Sequence, residues 1–104
     1  MMANMFDMLK QAGQMRKQAA QMQKMLLSIV CEESSSDGKV TVKVNGKMEL
    51  LSIDIAQELL SAEQKRTLEK ILLKTWQAAQ KRVEGMIQEE MRKHLGDLPV
   101  NLPF

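Results

Sequence analysis

Basic side chains recur at regular spacing on two segments that have the apolar periodicity of long helices. Lys10, Lys17 and Lys24 are seven residues apart, which on a helix makes one row with intervals of about 10 Å. Arg16 flanks this first row. On the later segment Arg66, Lys70, Lys74, Lys81 and Arg92 lie opposite the apolar stripe, and the first four of them are the predicted contacts of a second row. Rows of this kind can neutralise successive phosphates of a nucleic-acid backbone and release the counterions bound there.

The same cations have a simpler explanation. Lysine is the ordinary choice for the solvent-facing side of an amphipathic helix, and glutamates are interleaved with the second row. The residues alone favour this explanation. The sequence also has no recognition-helix motif, no zinc finger and no aromatic surface on which bases could stack. If nucleic acid is bound, we expect contacts with the duplex backbone and weak sequence preference, while a β-ribbon inserted into a groove stays open as an alternative.

No pattern for catalysis or metal binding is visible in the sequence. The single histidine, His94, lies near the expected end of a helix, where a capping role is predicted. The single cysteine, Cys31, has no CxxC partner and cannot form a disulfide within the chain, which suits a reducing compartment. We therefore predict no enzymatic activity, no cofactor, no metal and no small-molecule substrate.

Charge is distributed unevenly along the 104 residues, although the net charge is only +2. Residues 1–30 carry four cations and one acid, residues 31–60 carry three lysines and six acids, and residues 61–104 carry eight cations and six acids. This division weakly favours an anionic partner that touches the helices rather than the middle of the chain. No apolar run has the length of a membrane span or the form of a signal peptide, so we expect a cytoplasmic protein.

The first predicted helix runs from about Asn4, the expected N-cap, to Ser28. Asp7 would complement the positive end of this helix. Apolar residues alternate steps of three and four, which is typical of a heptad seam. The seam comprises Met5, Met8, Ala12, Met15, Ala19, Met22, Leu26 and Ile29. We expect it to pack on the second long helix, within one chain or across a dimer, and we expect the ten methionines to fill much of the core.

Three antiparallel strands are predicted at about 28–33, 39–44 and 47–55. Asn45 and Gly46 are typical of a two-residue type I′ turn, which requires positive φ at both positions. Such a turn pairs Val44 with Lys47, Val42 with Glu49 and Val40 with Leu51. One face then comprises Val40, Val42, Leu51, Ile53 and Ile55. Met48 and Leu50 emerge on the other face, so either that face is covered or a β-bulge shifts the register.

A second long helix is predicted from a capping box at Ser61 and Gln64 to about Leu95. Its apolar stripe comprises Leu68, Leu72, Trp76, Ala79, Val83 and Met86, flanked by Ile71 and Ile87. Gly96 is the expected C-cap, and the apolar tail 96–104 is expected to lie extended against a surface. The fold predicted for residues 1–104 is a single α+β domain with a helix at 4–28, a three-stranded meander at 28–55, a short helical turn, a helix at 61–95 and the tail.

The second helix would be about 50 Å long, which is longer than the core of a domain of this size. Part of its apolar stripe would therefore project into water, and we predict an obligate homodimer. The predicted contact between the two copies lies on the hairpin and comprises Val42, Val44, Met48 and Leu50.

Several short motifs occur in a recognisable order. They are Met-Phe near the start, MLKQAGQM at 8–15, QMQKM at 21–25, GKVTVKVNG at 38–46, IDI at 53–55 and LPVNLPF at 98–104. Together they resemble the YbaB/EbfC family of bacterial nucleoid-associated proteins. The resemblance implies a tweezer-like homodimer whose helical arms project from a central sheet, and DNA binding on the nucleoid with roles in chromosome organisation and gene regulation. The acidic, serine-rich segment 31–36 departs from the family pattern, and the resemblance assigns no individual contact residues.

Two hypotheses follow. In the leading one, the chain is a dimeric protein that binds double-stranded DNA through Lys10, Arg16, Lys17 and Lys24 of the first row and through the second row. In the alternative, it is a non-catalytic structural module that recruits a protein partner through its methionine-rich helices and apolar tail, and the lysines only keep the helices hydrated.

Overall fold

The computed structural model describes residues 2–95. Helix α1 (Met2–Ser28) precedes strands β1 (Val30–Ser34), β2 (Val40–Asn45) and β3 (Leu50–Ile55); two 3₁₀ turns (Gln57–Leu59 and Ala62–Gln64) and helix α2 (Lys65–Leu95) follow. The strands form one antiparallel sheet in the order β1-β2-β3. This arrangement confirms the predicted α+β fold. Gly96 and the tail 96–104 lie outside the described residues.

The beginnings of both helices differ from the prediction. α1 begins at Met2, so Asn4 lies inside the helix and Asp7 lies beyond its first turn. The predicted capping box is wrong, because the Ser61 side chain makes no capping hydrogen bond. The backbone N–H of Gln64 instead donates to the Ser61 carbonyl (3.0 Å) in the 3₁₀ turn before α2. Neither N-terminus therefore has the side-chain cap that the sequence predicted.

α2 lies across β1 and β2 and closes the core. Its buried positions recur every four residues and are Thr75, Ala79, Val83, Ile87 and Met91. On the sheet the buried apolar side chains are Cys31, Val40, Val42 and Val44. A row with this spacing is inclined to the helix axis and can follow a twisted sheet. The predicted stripe is right at Ala79 and Val83, but Trp76 and Met86 are only partly buried, since Thr75 and Ile87 take the central positions.

The connection between β2 and β3 is longer than a two-residue turn. Val44 pairs with Leu50 and Val42 with Ile53, and the register shifts between Lys43 and Val44. The type I′ prediction is wrong, because neither Asn45 nor Gly46 has positive φ, whereas Met48 has a φ of 62°. The sequence left open whether the second face of the sheet is covered or a β-bulge shifts the register. The structure shows the shifted register.

The hydrogen bonds of Asn45 stabilise the conformation of the loop between β2 and β3. Its Oδ1 accepts from the backbone N–H groups of Lys47 (2.9 Å) and Glu49 (3.0 Å), and its Nδ2 donates to the Glu49 carboxylate (2.9 Å). The N–H of Gly46 donates to the carbonyls of Leu26 (2.9 Å) and Ile29 (3.1 Å) at the end of α1. Asn45 and Gly46 therefore anchor the hairpin to α1 instead of forming a tight turn.

The two faces of the sheet differ in polarity. On the side away from α2, Glu32 pairs with Lys43, and the hydroxyls of Ser34 and Thr41 are hydrogen-bonded (2.8 Å). On the side of α2, β1 and β2 are covered but β3 is not. Its apolar side chains Leu50 and Ile53 are accordingly 45% and 48% exposed, although their partners on β2 are buried.

α1 projects from the rest of the molecule. Its side chains are exposed from residue 4 to residue 24, and only Met25 and Leu26 in the last turn, with Ile29 beyond it, join the core. The molecule measures 72 × 26 × 19 Å and its radius of gyration is 19.9 Å, compared with about 13 Å for a compact domain of this length. The expected packing of the heptad seam on α2 within one chain is therefore wrong over most of its length.

Candidate nucleic-acid interface

The first candidate surface is the row of cations on α1. Lys10, Lys17 and Lys24 are all exposed, as is Arg16 beside them. Because α1 is continuous from Met2 to Ser28, the three lysines follow one side of the helix over about 21 Å. No residue between 4 and 94 covers this side of α1, so a long anionic partner can lie along it.

The second surface is on α2, on the side opposite the buried row. Arg66, Lys70, Lys74 and Lys81 are exposed there. Lys70 and Lys74 border a shallow depression with Leu73, and Arg66 lies next to Lys70 in a neighbouring one. Arg66, Lys70 and Lys74 therefore lie close together near the N-terminal end of α2, with Glu69 among them, and Lys81 lies about two turns farther along.

Five of the seven other basic residues are held in ion pairs among the described residues, whereas these eight cations, like Lys43 and Lys47 on the sheet and its loop, are not. Pairs with carboxylates occupy Lys39, Lys65, Arg82, Arg92 and Lys93. Among residues 2–95, none of the eight predicted cations has a carboxylate oxygen within 4.0 Å. Their charges are therefore not neutralised by the described part of the chain, which is what binding to phosphate requires.

Arg82, unlike the eight predicted cations, has a structural role. Its guanidinium donates to the Glu33 carboxylate (3.0 Å) and to the Glu32 carbonyl (3.4 Å), so it ties α2 to β1. The hydrogen bond with Glu33 raises the pKa of Arg82 above its ordinary value.

Lys24 has a different neighbourhood from the other lysines of its row. It borders a cleft between the C-terminal parts of α1 and α2, together with Glu90 and His94. His94 is 3.7 Å from Glu90, one turn earlier on α2. The first row therefore extends from the projecting part of α1 to the cleft between the two helices. None of the four cations of the second row lines this cleft.

The residues predicted for the contact between copies divide into two groups. Val42 and Val44 are 2% and 0% exposed because they pack under α2 in the core of the same chain. Met48 is partly buried and Leu50 is exposed. The apolar surface that is available in this region lies on β3, where Leu51 and Ile53, which the sequence placed on one apolar face with Val40 and Val42, are about half exposed. Their exposure arises because α2 stops short of this edge of the sheet.

The described residues contain little that could support reaction chemistry. Between residues 2 and 95 there is no group of three His, Cys, Asp or Glu side chains that could hold a metal ion. Cys31 is buried, and this burial raises the pKa of its thiol above the ordinary value. In the same part of the chain, no helix combines the length and the apolar character needed to cross a bilayer.

Comparisons with known proteins place this geometry in context. A family model described as the YbaB/EbfC DNA-binding family matches residues 1–98. A nucleoid-associated protein of Granulibacter bethesdensis is 36% identical over 102 residues, with 98% of this chain and 94% of the relative covered. One from Alkaliphilus metalliredigens is 34% identical over 100 residues, with 96% and 86% covered.

A solved structure has the same fold. The crystal structure of an uncharacterized protein from Helicobacter pylori matches with a TM-score of 0.69 at 25% sequence identity, and the match covers 86% of this chain and 94% of that one. Fold and sequence together place the chain in a family of small DNA-binding proteins, and in this structure a helix with a row of cations projects from the sheet. The chain belongs to the YbaB/EbfC DNA-binding family.

Proposed function

We propose that the protein binds duplex DNA mainly through the phosphate backbone, with weak sequence preference, and that it does so as a homodimer. One observation carries the proposal: eight exposed cations form two helical rows, and none of them is paired with a carboxylate among residues 2–95. In this role the protein organises the bacterial chromosome and influences gene expression.

The geometry of the rows supports contact with the backbone rather than with base edges. The α1 row spans about 21 Å, which corresponds to roughly six base-pair steps of 3.4 Å along the duplex. Lysine offers a flexible point charge without the planar fork that reads guanine, and three of the four α1 cations are lysines. Such contacts position a protein on DNA but carry little sequence information.

Charge reversal on α1 tests this proposal. In Lys10→Glu/Lys17→Glu we expect the affinity for a mixed-sequence duplex to fall about tenfold or more, because phosphate contacts are replaced by repulsion. The slope of log K against log salt should become shallower by about one for each lysine that contacts DNA. Fluorescence anisotropy over a series of salt concentrations measures both quantities.

The matched control is Lys43→Glu/Lys47→Glu, which changes the net charge equally at exposed positions of the sheet and its loop. It should retain most of the affinity. Equal losses in the two double variants would contradict the assignment to α1, and affinity that ignores salt would contradict backbone binding altogether.

The exposed apolar side chains of β3 support the proposed homodimer. Leu50, Leu51 and Ile53 are each about half exposed on a strand at the edge of the sheet. An apolar edge strand is an aggregation hazard unless a partner covers it, and a second copy of the same chain is the commonest partner. The proposed contact retains Leu50 and Met48 from the sequence prediction and adds Leu51 and Ile53.

A second candidate function follows from the apolar side chains of α1. Met8, Leu9 and Met15 are 68%, 67% and 70% exposed, which is unusual for a projecting helix with no partner. In this alternative α1 recruits another protein. A defined protein that binds the purified chain after nuclease treatment, combined with no affinity for pure DNA at low salt, would favour this alternative over DNA binding.

A further inference from the structure

The C-terminal parts of α1 and α2 border a cleft of about 870 Å³ that no described residue fills. Its apolar part is formed by three methionines: Met22 and Met25 from α1 and Met91 from α2. Met91 belongs to the core and is 6% exposed, Met25 packs against the core, and Met22 is 38% exposed. The cleft extends to His94, the last side chain of α2 that the structure describes.

The segment 96–104 follows α2 directly and has a suitable sequence. Leu98, Val100, Leu102 and Phe104 alternate with Asp97, Pro99, Asn101 and Pro103. In an extended chain this alternation places all four apolar side chains on one side. The two prolines disfavour a helix, and Pro99 cannot continue α2. Nine extended residues reach up to about 30 Å, so the segment can span the cleft from its attachment at residue 95.

We propose that residues 96–104 dock as an extended segment in the cleft of their own chain, with their apolar side on Met22, Met25 and Met91. The attachment favours this occupant over any other, because a short tether raises the effective concentration of the segment to the millimolar range. Methionine suits such a site because its unbranched side chain adapts to an irregular apolar partner. The proposal is independent of DNA binding.

Docking of the tail has a mechanical consequence. The described contacts hold α1 only through Met25, Leu26 and the adjoining Ile29. A tail attached to α2 and packed on Met22 adds a brace between the two helices, about one turn farther along α1. The tail thereby sets the direction in which α1 projects.

Methyl NMR of the full chain, labelled at the methionine ε-methyl groups, tests the contact. Val100→Asp/Leu102→Asp removes apolar side chains from the proposed contact side, and Asn101→Asp is the matched control on the other side. We expect the first variant to shift the resonances of Met22, Met25 and Met91, and the control to leave them in place, while Met48 in the hairpin stays unchanged in both. Unchanged resonances of the three cleft methionines in Val100→Asp/Leu102→Asp would overturn the proposal.

Cross-linking distinguishes the chain's own tail from that of a second copy. In a Cys31→Ala background, Gln21→Cys in the cleft and Leu98→Cys in the tail are treated with a short bismaleimide. We expect a cross-link within one chain, which keeps the monomer mass in denaturing electrophoresis. The matched control replaces Gln21→Cys by Arg16→Cys, on the far side of α1, and should not react in this way. A cross-link only between chains, or none above the control, would overturn the proposal.

Discussion

Gly46 connects two elements because it has no side chain. Its N–H is shared between the carbonyls of Leu26 and Ile29, and a Cβ at this position would collide with the Leu26 carbonyl oxygen. Backbone cannot move aside as a flexible side chain can, so this close approach requires glycine. Gly85 offers the opposite case, since it lies in the middle of α2 and a Cβ there would meet no atom within 4 Å.

These two glycines yield a prediction for stability. Gly46→Ala should lower the free energy of unfolding by about 1–3 kcal/mol, because the end of α1 must shift away from the hairpin. Gly85→Ala should raise it by roughly 0.5–1 kcal/mol, since alanine is the better helix former at an open position. Urea denaturation followed by circular dichroism measures both. Equal effects of the two substitutions would contradict the close approach of the hairpin to α1.

At the scale of elements, the two long helices are stabilised in different ways. α2 buries five positions, spaced four residues apart, against β1 and β2. α1 has almost the same length but exposes every side chain from residue 4 to residue 24. An isolated helix is only marginally stable in water unless an apolar face is packed. The arm that carries the first cation row is therefore less well supported than the helix that carries the second.

Hydrogen exchange should reveal this difference. We expect backbone amides at 8–20 in α1 to exchange faster than those at 79–91 in α2, because fewer buried contacts oppose local opening of α1. Exchange of the full chain into D₂O, read by NMR or mass spectrometry, makes the comparison. Added duplex DNA should slow exchange in α1 if α1 contacts the duplex. Equal protection of the two segments without DNA would mean that a partner covers α1 along its length.

At the scale of the whole molecule, the sheet is covered on only part of one face. α2 shields β1 and β2, and the apolar side chains of β3 remain about half exposed next to an unpaired strand edge. The 72 Å long shape adds the exposed seam of α1 to this surface. Exposed apolar side chains grouped on β3 and on α1 are typical of surfaces that contact another protein.

The proposed dimer makes a prediction at this scale. Ile53→Asp places a charge on the apolar side of β3. It should convert the dimer to a monomer at micromolar concentration, because burying an unpaired carboxylate in the contact has a large free-energy cost. Ser52→Asp is the matched control, since its side chain lies on the polar face of the same strand. Sedimentation velocity distinguishes the two states. A dimer that persists in Ile53→Asp, or that is lost equally in Ser52→Asp, would place the contact elsewhere.

Local periodicity was sufficient to predict the kinds of elements and their order. The heptad spacing of α1, the alternation of Val40, Val42 and Val44, and the cation rows are patterns within one element. A helix or strand converts such spacing directly into a shared face. The side of each helix that carries its cations could therefore be predicted, and all eight predicted cations are exposed.

Strand register, the burial of individual side chains and the projection of α1 depend on tertiary contacts, which patterns within one element do not reveal. The role of Asn45 and Gly46 depends on the end of α1, which is about twenty residues earlier in the chain. The shifted pairing of β3 follows from that loop, and the exposure of Ile53 follows from where α2 crosses the sheet. The burial of Val42 and Val44 depends on the same crossing. The sequence alone thus determined the elements and their charged faces, whereas register, the covered strands and the projection of α1 required the fold, because each depends on packing between segments distant in the chain.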